Sequence, residues 1–208
     1  MEAAKTESIL VLGIGNVLWA DEGFGVRCVE QLNEMWDVGP DVRVMDGGTQ
    51  GLYLVSYVSE SSHVLVLDAV DFGDPPGTLR VVRGPDVPSC MGANNLSLHQ
   101  VGFQDVLAAA ALLGRAPLEL TLVGVQPETL DDYGGGLTAT VASRVGEAVT
   151  VAMAELVRWG VTPLRRIEIG DAILPVSIGR SAYEAGRPSP EQACRTGDPR
   201  FFLHQRGH

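Results

Sequence analysis

Short unbroken apolar runs alternate with helical repeats along most of this chain. Ile9-Leu10-Val11-Leu12 and Val64-Leu65-Val66-Leu67 contain no polar interruption, the pattern of strands buried on both faces. Between them Phe24, Cys28, Leu32 and Trp36 recur at helical spacing with Val29 beside them, which predicts an amphipathic helix after Asp21. Val42 to Asp46 reads as a second strand ended by Gly47-Gly48, Leu52 to Val58 as a second helix, and His63 to Asp68 as the third strand. The order is β-α-β-α-β, whose crossovers are right-handed.

The rhythm changes after Asp68. Asp74-Pro75-Pro76-Gly77 is turn chemistry, and Thr78 to Arg83 then alternates weakly with no crossover helix before it. A strand reached by a turn alone runs antiparallel. Gly84 to Asn95 reads as a loop. Phe103, Val106, Leu107, Ala110 and Leu113 mark a helix, with His99 on its inward stripe at the N-terminal end. Leu118 to Val125 is a fifth strand, and a long helix after Gly134 to Gly136 carries Val141, Val145, Val149, Ala152 and Leu156 on one face. The expected fold is α/β: a three-layer α/β/α sandwich around a mostly parallel five-stranded twisted sheet with one antiparallel strand.

The 208 residues suit one core. Residues 1–163 form the expected α/β/α domain. From Leu164 to His208 the chain is rich in Gly and Pro, and an irregular tail is expected, disordered or ordered on a partner, with one short helix around Glu191 to Cys194. Charge divides at the same place: Met1 to Pro163 holds 8 basic and 21 acidic side chains, Leu164 to His208 holds 7 and 5. The net charge of -11 argues against nucleic acid or an anionic membrane as partner, since phosphate neutralisation needs a Lys and Arg surplus. No apolar stretch has membrane-spanning length and the first residues lack the apolar core of a secretory signal. The three cysteines form no C-x-x-C pair, so a reducing cytoplasm is the expected compartment.

The candidate chemistry lies where ligands gather in open α/β sheets, outside the carboxyl ends of the strands. Glu22 follows the first strand, Asp68 closes the third, and His99 begins the helix after the fourth. Each has an ordinary reading. Asp21 and Glu22 suit a helix N-terminus, with Asp21 as cap; Asp68 suits a turn; a lone histidine is usually structural. Asp46 starts a turn or orients a neighbouring ligand. Taken together, two carboxylates and one imidazole form an oxygen-rich, incomplete metal site, whereas self-sufficient zinc hydrolases present three histidines or two plus an acid. The two carboxylates repel until a divalent ion arrives. No H-E-x-x-H, G-x-S-x-G or reactive cysteine is present. Gly13-Ile14-Gly15-Asn16-Val17-Leu18 lacks the third glycine of a dinucleotide loop and is followed by acids where a pyrophosphate would sit, so no nucleotide is expected.

These segments also resemble a known family. Gly13-Ile14-Gly15-Asn16, Asp21 to Arg27, Asp46-Gly47-Gly48-Thr49, Leu67-Asp68-Ala69, Ser97-Leu98-His99-Gln100, Leu120 to Glu128 and Gly136-Leu137-Thr138 together are similar to the nickel-iron hydrogenase maturation endopeptidases. The similarity spans roughly Ile9 to Pro163, in the family's order and spacing. It implies an endopeptidase that removes a C-terminal extension from the hydrogenase large-subunit precursor after nickel insertion. It further implies that Glu22, Asp68 and His99 contact nickel supplied by the substrate, and that Asp46 matches an acid important for processing. The loop Met91 to Asn95 and the tail look like the branch serving uptake hydrogenases. A monomer is expected. The competing reading is a nickel-binding metallochaperone without proteolytic activity.

Overall fold

The computed structural model describes the backbone of residues 8–92, 98–130 and 132–186, and side chains within these ranges except at 92 and 98–101. Strands are numbered along the chain. Five form one sheet in the order β3 (Val42–Gly48), β1 (Ile9–Ile14), β4 (His63–Ala69), β6 (Glu119–Val125), β5 (Leu79–Arg83). The first four are parallel, and β5 lies antiparallel against β6, with Leu79 opposite Val125 and Arg83 opposite Thr121. The turn that reverses the chain before β5 is held by Gln126. Its Oε1 accepts from the N–H of Phe72 at 2.7 Å and of Asp74 at 3.2 Å, and its Nε2 donates to Asp71 at 2.9 Å.

Strand side chains alternate between two apolar layers, as the pleat requires. Ile9, Val11, Leu65, Leu67, Val123 and Val125 face α1 (Phe24–Met35) and α6 (Val145–Arg158). Leu10, Leu12, Val64, Val66, Leu120 and Leu122 face α2 (Val55–Glu60), α3 (Asp86–Gly92) and α4 (Leu98–Leu112). Burial of each such side chain stabilises the fold by about 1.5–3 kcal/mol. Runs with apolar residues at every position are therefore what a sheet covered on both sides demands. The expected three-layer architecture, and its single antiparallel strand, are those of the molecule.

Some local expectations differ. The stretch expected as a loop from Gly84 contains α3, because Val87 and Met91 are fully enough buried to anchor a short helix on the sheet. The single long helix after Gly136 is two, α5 (Ala139–Ala142) and α6; the Thr138 hydroxyl caps α5 by accepting from Val141 N–H at 3.3 Å. A two-stranded ribbon was not foreseen: β2 (Trp36–Asp37) pairs with β7 (Leu164–Arg165).

That ribbon begins a long clasp. Although 164–208 reads as irregular in sequence, its described part, to residue 186, lies across α1. Arg166 Nε donates to the carbonyls of Asn33 and Trp36, Gly170 N–H donates to Glu34, and Leu174 is buried. The short helix α7 (Arg180–Gly186) ends it. The helix expected around Glu191 to Cys194 lies outside the described residues.

Candidate active site at the carboxyl ends of the strands

Two glycines set how closely α1 meets the sheet. A Cβ on Gly25 would run into the carbonyl oxygens of Leu67 and Ile14, and one on Gly13 would lie 2.6 Å from Val29 Cγ2. The helix start therefore sits directly on the ends of β1 and β4. Gly15 has φ +129, and a Cβ there would strike the carbonyl of Glu22. So the glycines of the Gly13-Ile14-Gly15 turn admit the chain's own backbone at close quarters, and packing accounts for them.

After β1 the chain turns tightly. Asn16 Oδ1 accepts from Leu18 N–H at 3.0 Å, its carbonyl accepts from Trp19 N–H at 3.1 Å, and Trp19 carbonyl accepts from Glu22 N–H at 2.9 Å. This folds a 3-10 turn, Ala20–Gly23, back against β4. Ala20 holds φ +41, the one positive-φ non-glycine among the described residues. Such strain of about 1–2 kcal/mol persists only where surroundings enforce it; here the Ala20 N–H donates to Gly135 carbonyl at 3.0 Å.

Asp21 departs from its expected role. It caps no helix: α1 has Gly23 at its N-cap and no side-chain cap. Instead its carboxylate, fully buried, accepts from the N–H groups of Glu128 at 2.9 Å, Thr129 at 3.0 Å and Thr138 at 2.8 Å, and from the Thr138 hydroxyl at 3.2 Å. It ties the loop after β6 to the turn that carries Glu22. No local signal shows this, since the donors are more than a hundred residues away.

Glu22, next in the chain, is half-buried. Asp68 has no exposed surface and sits opposite Gly124 near the end of β4. The contact of the 3-10 turn with β4 brings both acids to one rim. Asp46 lies near the end of β3, half-buried, with Oδ1 accepting from Gly48 N–H at 2.7 Å. Burial pushes its carboxyl above the ordinary 3.8, opposed by the Gly48 hydrogen bond and the field of Arg27 and reinforced by Glu30. His99 belongs to the first turn of α4. That turn is near the end of β3 too, because α4 packs on the 3-10 turn Gly51–Leu54 and a Cβ on Gly102 would lie 3.5 Å from Gly51 Cα. The His99 side chain lies outside the described residues. Among the described residues no group of three or more His, Cys, Asp or Glu is placed to hold a metal ion.

Arg27 and Glu30 were also missed. They pair at 2.8 Å and are only 5% and 8% exposed, although both are charged. The clasp covers them: Arg27 Nη1 donates to Ile178 carbonyl at 2.9 Å, its guanidinium lies over the Tyr183 ring at 5.5 Å, and Glu30 Oε1 accepts from Arg180 N–H at 2.7 Å.

Comparisons with known proteins agree with this architecture. A family model described as hydrogenase maturation protease matches residues 26–155. The hydrogenase expression/formation protein HupD of Rhodobacter capsulatus is 53% identical over 202 residues, 97% of this chain and 96% of that protein. The hydrogenase 2 maturation protease of Escherichia coli (strain K12) is 40% identical over 164 residues, 78% of this chain and 99% of that protein. Among solved structures, the hydrogenase maturating endopeptidase HybD from E. coli superimposes with a TM-score of 0.73 at 39% identity, covering 76% of this chain and 98% of that one. By these matches the chain belongs to the hydrogenase maturation protease family.

Proposed function

We propose that this chain is an endopeptidase that removes the C-terminal extension of a nickel-iron hydrogenase large-subunit precursor after nickel insertion, recognising the nickel already seated in that substrate. The observation that carries the reading is the buried Asp68 at the end of a central strand, beside the turn that presents Glu22, in a chain of this family. Glu22, Asp68 and His99 are the residues we assign to the substrate's nickel. Two carboxylates and an imidazole are a harder, more oxygen-rich set than the three histidines, or two and an acid, of a resident zinc hydrolase site, which suits an ion that brings part of its own coordination. Engaging it would set the scissile peptide against the rim and discriminate against precursors not yet loaded.

Hydrolysis adds water across the peptide C–N bond, so a proton must leave the attacking water and another must reach the departing amine. Asp46 is suited to carry it, since burial holds its carboxyl above the usual range and a base or acid works best with a pKa nearer the operating pH. No described helix is long and apolar enough to cross a membrane. We place the reaction in the cytoplasm, with the enzyme as a monomer.

The test is to incubate the protein with nickel-loaded and nickel-free precursor and follow the extension by mass spectrometry, alongside Glu22→Gln, Asp68→Asn and His99→Ala. Shortening of the loaded precursor alone, lost in the variants, is expected. Undiminished processing by all three variants would remove the site assignment. Stoichiometric nickel retained by the protein with no shortening would identify a metallochaperone instead.

A further inference from the structure

The clasp that covers α1 also walls a groove. Its described end, Ser177 with Ala182 and Tyr183 of α7, faces Leu18, Tyr133 and Gly134 across a groove of about 260 Å³. Leu18 and Tyr133 come from the loops after β1 and β6, which are joined by the Gly134 N–H to Leu18 carbonyl hydrogen bond at 2.7 Å and by the edge-on stack of Trp19 and Tyr133 at 5.2 Å. Glu22 hangs from the same turn, through its N–H to the Trp19 carbonyl. The groove thus opens beside the candidate site rather than on a remote face.

From this placement we infer that the groove holds an uncharged, extended segment of the precursor flanking the scissile bond, and that the clasp thereby helps select which precursor is cut. The inference rests on the endopeptidase reading above. An endopeptidase must hold its polypeptide beyond the reacting carbonyl, and this groove shares a turn with Glu22. Ser177, Ala182, Tyr183, Leu18, Tyr133 and Gly134 carry no charge, so a charged segment would be desolvated there with no opposite charge among them to pair with. The volume falls below the roughly 300–1,000 Å³ of small-molecule sites, which favours a few side chains over a cofactor.

The clasp is anchored well enough to act as a wall. Arg27 and Glu30 of α1 hold its backbone at Ile178 and Arg180, and a Cβ on Gly136 would strike the Glu184 carboxylate of α7, so this helix also rests on the loop before α5. The clasp begins past residue 155, where the family-model match ends. The E. coli protease, matched over 99% of itself, answers to 78% of this chain, whereas R. capsulatus HupD answers to 97%. An element outside the shared core is a natural place for selectivity.

Ala182→Trp fills the groove from α7, an element that carries none of Glu22, Asp68 and His99, and Ala185→Trp adds the same bulk at a position of α7 that does not line the groove. With nickel-loaded precursor we expect Ala182→Trp to raise KM about tenfold or more with kcat within about twofold, the signature of lost substrate binding, and Ala185→Trp to change neither. Leu18→Glu, which places a charge on the opposite wall, should act as Ala182→Trp does, and decides the matter should the tryptophan variant alter the circular dichroism spectrum. Wild-type cleavage with unchanged KM in these groove variants overturns the groove assignment and leaves the endopeptidase reading standing. Absence of wild-type cleavage overturns both. Conversion of a dimer to a monomer by Ala182→Trp, seen by light scattering, would give the groove to a second copy of the chain and also overturn the inference.

Discussion

Asp21→Ala offers a direct measure of how the rim is assembled. The wild-type carboxylate accepts three backbone N–H groups and one hydroxyl while wholly buried. Hydrogen bonds to a charged group contribute about 1.5–3 kcal/mol each, so a simple sum for four would be about 6–12 kcal/mol. That rivals the whole stability of a typical domain, about 5–15 kcal/mol, and cannot be realised in full, because water enters the space vacated and satisfies some of the donors. The loss expected is that of breaking a buried charged network, about 3–5 kcal/mol. At about 2–4 °C per kcal/mol for a chain of this size, the melting temperature should fall by about 6–20 °C. Asp21→Asn keeps one acceptor oxygen but turns an amide N–H toward the remaining donors, so it should recover only part of the loss. Urea denaturation followed by circular dichroism, with the slope checked for two-state behaviour, supplies the measurement. A loss below about 1 kcal/mol, the worth of one ordinary hydrogen bond, would refute the claim that this carboxylate ties the loop after β6 to the Glu22 turn.

Gly25→Ala should destabilise the protein even though alanine is the better helix former by about 0.8–1.0 kcal/mol, because overpacking costs about 1–3 kcal/mol and the new methyl meets two backbone carbonyls; equal or greater stability in a urea melt would contradict the packing. Arg27→Ala should loosen the clasp and strand Glu30, costing about 3 kcal/mol or more and accelerating limited proteolysis near Ile178 over wild type; an unchanged cleavage pattern would count against the anchor. For Asp46 the folded carboxyl lies above its ordinary 3.8. The protonated group therefore favours the fold at pH below that value, and this contribution is lost as pH rises through the raised folded value. Asp46→Asn, which does not ionise, should gain stability relative to wild type as pH climbs from about 3 toward neutral and then level off; a difference independent of pH in thermal melts would exclude a raised Asp46.

The strands, their order in the chain and the antiparallel β5 were legible because each is written in contiguous residues. A short apolar run rich in Val and Ile suits a doubly covered strand, whereas the longer, alanine-rich apolar run 106–112 is helix α4, and Asp74-Pro75-Pro76-Gly77 leaves no space for a crossover. Helix ends and splits were less legible. Trp36 continues the apolar spacing of α1 yet belongs to β2, because its partner β7 lies in a segment whose sequence reads as irregular. The candidate acids could be named from their positions after strands. The work of Asp21 could not, since the motif Asp21-Glu22-Gly23 fits a helix cap equally well until Glu128, Thr129 and Thr138 are seen to donate to it.

By itself the sequence determined the layers, the parallel core and the sheet edge at which the candidate acids lie, because hydrophobic period and turn composition are local properties of the chain. Tertiary structure alone decided that Gly13 and Gly25 let α1 sit directly on the sheet, that Asp21 binds loops rather than a helix end, and that Arg27 and Glu30 lie buried under a clasp. Each of these is settled by groups far apart in sequence whose hydrogen bonds and close contacts exist only once the sheet has brought them together.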